Sequence, residues 1–227
     1  MTDSVRAVLP LWDRVIALAE QVSPADWSRP TPDPGLDVRG VVSHVAVAPP
    51  TRSPAQLLEE LHRAREAYLA HLAAAERHLH GHAHGHHRHH GHDRALGAAC
   101  LDLYVHSHDL ASALGVPVDL EEDSAAVREA YRYVLDLAPK LFTVRAGARA
   151  GDTLRLGVPG GHEEVAALPS RHGDGRPATD GTVTATPAAL VLLLAGRGDP
   201  GLWRARGALE WSGESGEAFV ARARLLA

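Results

Sequence analysis

Cysteine is almost absent from this chain of 227 residues: Cys100 stands alone, which excludes an internal disulfide and any zinc site built from several cysteines. Aromatic residues make up only 4% of the chain, leaving few rings to stack on bases or sugars. Lysine is reduced to Lys140, the one lysine among 23 Lys+Arg residues; with the abundant alanine this reads as the habit of a GC-rich genome. Positive charge is in deficit, with 28 Asp+Glu and a formal net charge of -5, so the cation surplus that a phosphate backbone demands is missing. No nucleic-acid partner is expected. Long apolar runs are missing too, none approaching the roughly 20 residues that cross a bilayer, and the N-terminus lacks the basic start and apolar stretch of a secretory signal. The expectation is a soluble, cytoplasmic protein with no membrane partner.

What the chain does contain is 45% hydrophobic residues, enough to close one large core or two modest ones, and 16 histidines. The first 140 or so residues read as helical. Leu11, Val15, Leu18 and Val22 step by four, three and four, and Ser23-Pro24 follow where such a helix would stop. After a loop through Pro30, Pro32, Pro34 and Gly35, Asp37 can cap a short helix with the face Val38, Val41, Val42 and Val45. Ser53, Pro54 and Gln56 make a capping-box start to a long helix carrying Leu57, Leu61, Tyr68, Leu69 and Leu72. A fourth helix is expected over about 94–114, stopped by Gly115 and Pro117, and a fifth with Val127, Tyr131, Val134 and Leu135 on one side.

Beyond Phe142 the pattern changes to short β-like runs at 153–158, 164–168 and 182–186, then a helix at 187–195, a strand or hairpin arm at 202–211 and a terminal helix at 216–227. The fold class read from this is a helical bundle over residues 1–142, joined near 143–151 to a small α+β domain over 151–227.

The fourth helix carries the candidate chemistry. Asp102 and His106 are four apart, so at ~100° per residue they lie within about 40° of each other and can converge on one ion. Asp109 falls on the same stripe among Ala95, Ala99 and Ala113, and the leucine stripe Leu96, Leu103, Leu110 lies only about 80° away. A charge-bearing row at the edge of a core must be compensated by partners or by metal. His44, beside the valine face of the second helix, can bring a third ligand; one carboxylate and two imidazoles suffice for a catalytic zinc with a position left over. On spacing alone, hydrogen-bonded core histidines are the commoner outcome of such a pattern.

Three stretches resemble the mycothiol-dependent maleylpyruvate isomerase family. They are Trp27 to His44, with its proline-rich loop and histidine-bearing helix; Asp102-Leu-Tyr-Val-His106-Ser-His-Asp109 through Gly115; and Pro187 to Arg197. The resemblance implies a DinB-like antiparallel helical bundle with a sterol-carrier-like C-terminal domain. It implies a zinc, or another divalent metal, held by His44, Asp102 and His106. It also implies mycothiol, a sugar-linked thiol of actinobacteria, as cosubstrate for isomerisation of, or thiol transfer to, a small electrophile. Asp109 is placed as the acceptor behind a ligand histidine. Arg197 is a candidate for contacting the substrate, alongside Arg204 and Arg206. Aspartate stands at 102 where the family usually has glutamate, so either the helices approach more closely here or a water intervenes. Asp33 stands where relatives often carry cysteine.

The stretch 78–92 holds nine histidines in fifteen residues: His78, His80, His82, His84, His86, His87, His89, His90 and His92. With three glycines and no apolar period it reads as a low-complexity loop. Neutral imidazoles there bind nickel, zinc or copper, so the alternative function is a metal-handling protein in which this auxiliary loop stores, senses or delivers ions. A pH-responsive polycation and a neutral expansion of a tolerant loop are the other readings. Cys100 lies about 160° round its helix from Asp102 and is expected to be a buried, inert thiol, and His108 to face outward. Nothing in the pattern sets an oligomeric state.

Overall fold

The computed structural model describes residues 3–81, 86–149, 151–159, 164–167 and 179–225. The chain divides into two compact units, residues 1–118 with 124–130, and residues 119–123 with 131–227. No described helix is long and apolar enough to cross a membrane.

The first unit is built from α1 (Asp3–Glu20), a 3-10 turn at Asp26–Ser28, α2 (Val38–Val45), α3 (Pro54–Gly81), α4 (His86–Leu114) and the opening residues of α5 (Ala125–Val144). The apolar stripes predicted from the sequence are the buried ones: Leu11, Val15 and Leu18 on α1, Val38, Val41 and Val42 on α2, and Leu57, Leu61 and Leu72 on α3. On α4 the same role falls to Leu96, Leu103 and Leu110. Two helices start on the expected local signals: Asp37 accepts the N–H of Gly40 at 2.7 Å, and Ser53 and Gln56 exchange capping-box hydrogen bonds of 3.0 and 3.3 Å. At the start of α5, Ser124 accepts from Val127 at 3.3 Å. Helix α1 packs on α3 and α4, and α2 lies against both of those.

The histidine-rich stretch departs from the expected loop. Helix α3 continues to Gly81 and α4 already begins at His86, so the backbone of most of 78–92 is helical. Histidine and alanine are adequate helix residues and an interior glycine costs only ~1 kcal/mol, so two long helices can extend into such a segment. His82 and His84 lie outside the described residues, as do the side chains of His78, His80, His86, His87, His89, His90 and His92.

The second unit centres on a four-stranded sheet of order β2-β1-β3-β4, formed by β1 (Thr153–Gly157), β2 (Glu164–Ala167), β3 (Thr182–Ala185) and β4 (Leu209–Ser212). The β1/β3 pair is parallel and the other two are antiparallel. Leu154, Leu156, Val183, Ala185 and Leu209 supply its buried face. Helix α6 (Pro187–Leu194) is buried on all sides from Ala188 onward, which is why it reads as a continuous apolar run. Thr186 caps it, accepting from Ala189 at 3.2 Å while donating to the Leu120 carbonyl at 2.6 Å, and so ties residues 119–123 to this unit. Helix α8 (Gly213–Arg222) brings Phe219 against Phe142, with ring centroids 6.3 Å apart. It approaches β3 so closely that a Cβ on Gly181 would sit 2.0 Å from the Gly216 nitrogen. The stretch 202–211, expected as one strand or hairpin arm, instead splits into α7 (Pro200–Ala205) and β4. Asp199 explains the difference: its carboxylate accepts from Gly201 at 2.8 Å, with Pro200 at the first helical position.

Candidate metal centre

The first unit brings His44, from the last turn of α2, together with Asp102 and His106 of α4, which lie 58 and 62 positions further along the sequence. Asp102 Oδ1 lies 3.5 Å from His44 Nε2 and 3.5 Å from His106 Nε2, and the three donor atoms all fall within 4.8 Å of one another. The two imidazole rings meet edge to face with centroids 4.8 Å apart. The shorter aspartate therefore reaches both imidazoles directly.

Burial grades across the cluster. His106 is 5% exposed at its side chain, whereas His44 and Asp102 are 54% and 49% exposed, so the group has a closed inner end and an open outer one. Behind it, the fully buried Asp109 carboxylate takes a 3.2 Å hydrogen bond from His106 Nδ1. An ionised carboxylate only accepts, so Nδ1 carries a proton whenever this bond is made, and Asp109 thereby fixes the imidazole's orientation. Burial works to lower the pKa of His106, but its hydrogen bonds to Asp102 and Asp109 and their charges prevail and raise it to about 9. Burial likewise pushes the Asp102 carboxyl up, and the hydrogen bonds and charges of His106 and His44 outweigh it, holding the group below the usual carboxylate value.

The donor set suits a divalent ion of the zinc type. For bonds of 2.0–2.1 Å a tetrahedral ion has ligand–ligand edges of about 3.3–3.4 Å, close to the two 3.5 Å separations here. Two imidazole nitrogens and one carboxylate oxygen are ordinary zinc ligands, and the open outer end matches a site with a vacant position.

Asp33, in the loop before α2, joins His106 and Asp109 in a second group whose donor atoms lie within 4.8 Å of one another. Sequence reasoning noted Asp33 only as a departure from the family pattern; its nearness to α4 depends on how the proline-rich loop folds back. His108, expected to face outward, is 7% exposed, with Nδ1 4.0 Å from Asp109 Oδ1. Cys100 is fully buried, and burial, helped by the Glu129 charge, pushes its thiol pKa up to about 12. Arg197 is 1% exposed inside the second unit, where it donates to the Ala195 carbonyl at 2.9 Å. Arg204 instead lies over the Trp211 ring, 4.2 Å from its centroid.

Next to the cluster is a cavity of about 390 Å³ to which His44 and Asp102 contribute. Val47 stands at its edge, 90% exposed and with φ of 51°, a left-handed conformation unusual for a β-branched residue. Hydrogen bonds from Val47 N to the His44 carbonyl and from Ala48 N to the Ser43 carbonyl, at 3.0 and 2.9 Å, hold that turn at the end of α2. Ser43 also donates its hydroxyl to the Ala48 carbonyl.

Fold and cluster thus define a two-unit chain: a helical unit with a His–Asp–His group at a cavity, and an α+β unit after it. Residues 8–49 match the family described as the mycothiol maleylpyruvate isomerase N-terminal domain, so the N-terminal segment is of that family's type. The match contains Asp33 and His44 and ends before α4. Among solved structures, the chain shares its fold with a histidine-to-alanine mutant of the mycothiol-dependent maleylpyruvate isomerase. The identity is 16% and the TM-score 0.52, with 92% of each chain covered. A further structure of mycothiol-dependent maleylpyruvate isomerase aligns at 16% identity over 86% of this chain and 89% of that one, with a TM-score of 0.47. None of the curated proteins matches the chain.

Proposed function

We propose that this chain is a metal-dependent enzyme that uses mycothiol to isomerise, or to transfer the thiol onto, a small electrophilic substrate, with His44, Asp102 and His106 holding zinc. The observation that carries this reading is the convergence of three donor atoms from two helices at the open end of a cavity, one of them, His44, inside the segment that matches the family. A divalent ion at that position supplies Lewis acidity, which lowers the pKa of a thiol so that it reacts as thiolate near neutral pH.

The chain's own residues do the rest by position. Asp109 holds His106 with Nδ1 protonated and Nε2 turned toward Asp102. His44 and Asp102, half exposed, face the space where thiol and substrate meet. In the reaction the thiol loses its proton to solvent and its sulfur bonds to the electrophilic carbon. For transfer, the leaving group departs with its bonding pair. For isomerisation, the π pair of a conjugated double bond moves to the neighbouring atoms, the resulting single bond rotates, and the pair returns as the sulfur leaves.

Metal analysis of purified protein tests the reading. One tightly held zinc per chain is expected, retained when residues 78–92 are deleted and lost in His44→Ala. Mass spectrometry of protein incubated with zinc, mycothiol and electrophiles should then show thiol adducts or isomerised product that His44→Ala does not make. Loss of all metal with the histidine-rich stretch would instead favour metal handling and overturn the proposal.

A further inference from the structure

The cavity beside the metal cluster has a chemistry of its own. Apart from His44 and Asp102, its walls are apolar or aromatic, with Trp12 from α1, Ala64 and Tyr68 from α3, Ala99 and Leu103 from α4, and Val45 beside His44. Trp12 and Tyr68 form one wall, their ring centroids 6.0 Å apart and tilted by 45°. The Trp12 indole is 5% exposed, and its N–H has no hydrogen-bond partner among the described residues. Burial, with the Cys100 charge, raises the Tyr68 phenol to about 12, so this wall stays uncharged at every physiological pH.

No arginine or lysine is among the described residues lining the cavity. Arg63 and Arg65, which flank Ala64 in sequence, pair with Glu60 at 2.9 Å and Asp13 at 2.8 Å. At the polar end the Asp102 carboxylate adds an acidic group rather than a cation. A substrate carboxylate set among these apolar walls would lose part of its hydration and meet no arginine or lysine among the described lining residues, an arrangement that proteins avoid.

We propose that the cavity receives the uncharged, apolar body of the electrophile and discriminates against anionic substrates, so that the natural substrate is a neutral apolar molecule of one or two rings, or an aliphatic chain of similar bulk. The size follows from volume: an apolar cavity of ~150 Å³ holds benzene, and the space here is about 390 Å³. Assigning the pocket to the electrophile rests on the thiol-transfer reading above; its preference for neutral ligands does not.

The test is calorimetric binding to metal-free full-length protein of two probes with the same ring body, benzofuran and benzofuran-2-carboxylate. Benzofuran should bind at least about tenfold more tightly, the least that a buried unpaired charge costs. Ala64→Arg, placing a cation in the wall, should narrow or reverse that preference, and Ala99→Phe should weaken both probes by filling the space. Circular dichroism of each variant shows whether it has folded. Should a variant unfold, the comparison of the two probes on the unaltered protein still decides. Equal affinities, or preference for the carboxylate, would overturn the pocket assignment while leaving the metal reading intact. Failure of His44→Ala to lose zinc would overturn the metal reading whatever the probes do.

Discussion

If two carboxylates hold the buried His106 imidazole in the metal-free protein, raising the pH should unlock part of the helical unit. The folded-state pKa is about 9 against an ordinary 6.5. A folded state that binds the proton more tightly than the unfolded chain is stabilised wherever the proton is present. The contribution is therefore complete below pH 6.5 and lost as the pH rises through 9. At 1.36 kcal/mol per pH unit, that shift corresponds to about 3 kcal/mol, most of it gone by pH 9. Cys100 and Tyr68, raised from 9.0 and 10.0, begin to cost stability only as the pH reaches those unfolded-state values, at or above the upper edge of this window. Urea denaturation of chelator-treated protein near pH 6, 7, 8 and 9 should show the midpoint of the helical unit falling steadily. The same samples followed by NMR should show the His106 ring titrating near 9. Asp109→Asn, which removes one of the two charges, should flatten the curve and move the titration down. A flat stability profile, or a His106 midpoint near 6.5, would refute the assignment of both carboxylates to this imidazole.

Asp109→Asn should also weaken zinc binding by about 10- to 100-fold with the ligands themselves intact, a loss measured by competition with a chromophoric chelator. Gly181→Ala should destabilise the α+β unit by several kcal/mol, because the added Cβ would stand 2.0 Å from the Gly216 nitrogen; thermal denaturation reads this directly. Val47→Gly should stabilise the helical unit by about 0.5–1 kcal/mol in urea titrations, since it relieves a left-handed valine that buries almost nothing.

Much of the architecture could be read from spacing because the helices of the first unit bury one face each. Leu11, Val15 and Leu18, or Val38, Val41 and Val42, announce that face residue by residue. Caps at Asp37 and Ser53 mark where helices start, and the i, i+4 relation of Asp102 and His106 puts both on one side of α4. That His44 meets them depends on how α2 lies against α4, which periodicity does not encode; the family resemblance pointed to it. Asp33 escaped because a proline-rich loop, with no period, decides what it approaches. Trp12 and Tyr68 were hidden in plain view: each sits on an apolar stripe, and a stripe does not distinguish residues that fill a core from residues that wall a cavity. The histidine-rich stretch misled for a different reason. Glycine and low complexity suggested a break, yet two long flanking helices carry their hydrogen-bond ladders into it. At 202–211, large apolar residues suggested a strand, and the Asp199-Pro200 start that sets α7 was overlooked.

Cys100 has a bearing on how such a chain survives its own reactants. A catalyst that handles reactive carbon centres is exposed to them at every turnover, and its most vulnerable atom would ordinarily be a cysteine sulfur. Here the sole cysteine is sealed in α4 and kept protonated, so its sulfur gives an alkylating agent no ready foothold. If the proposed chemistry holds, the thiol that meets the electrophile is then a diffusible one that can be replaced rather than one built into the chain.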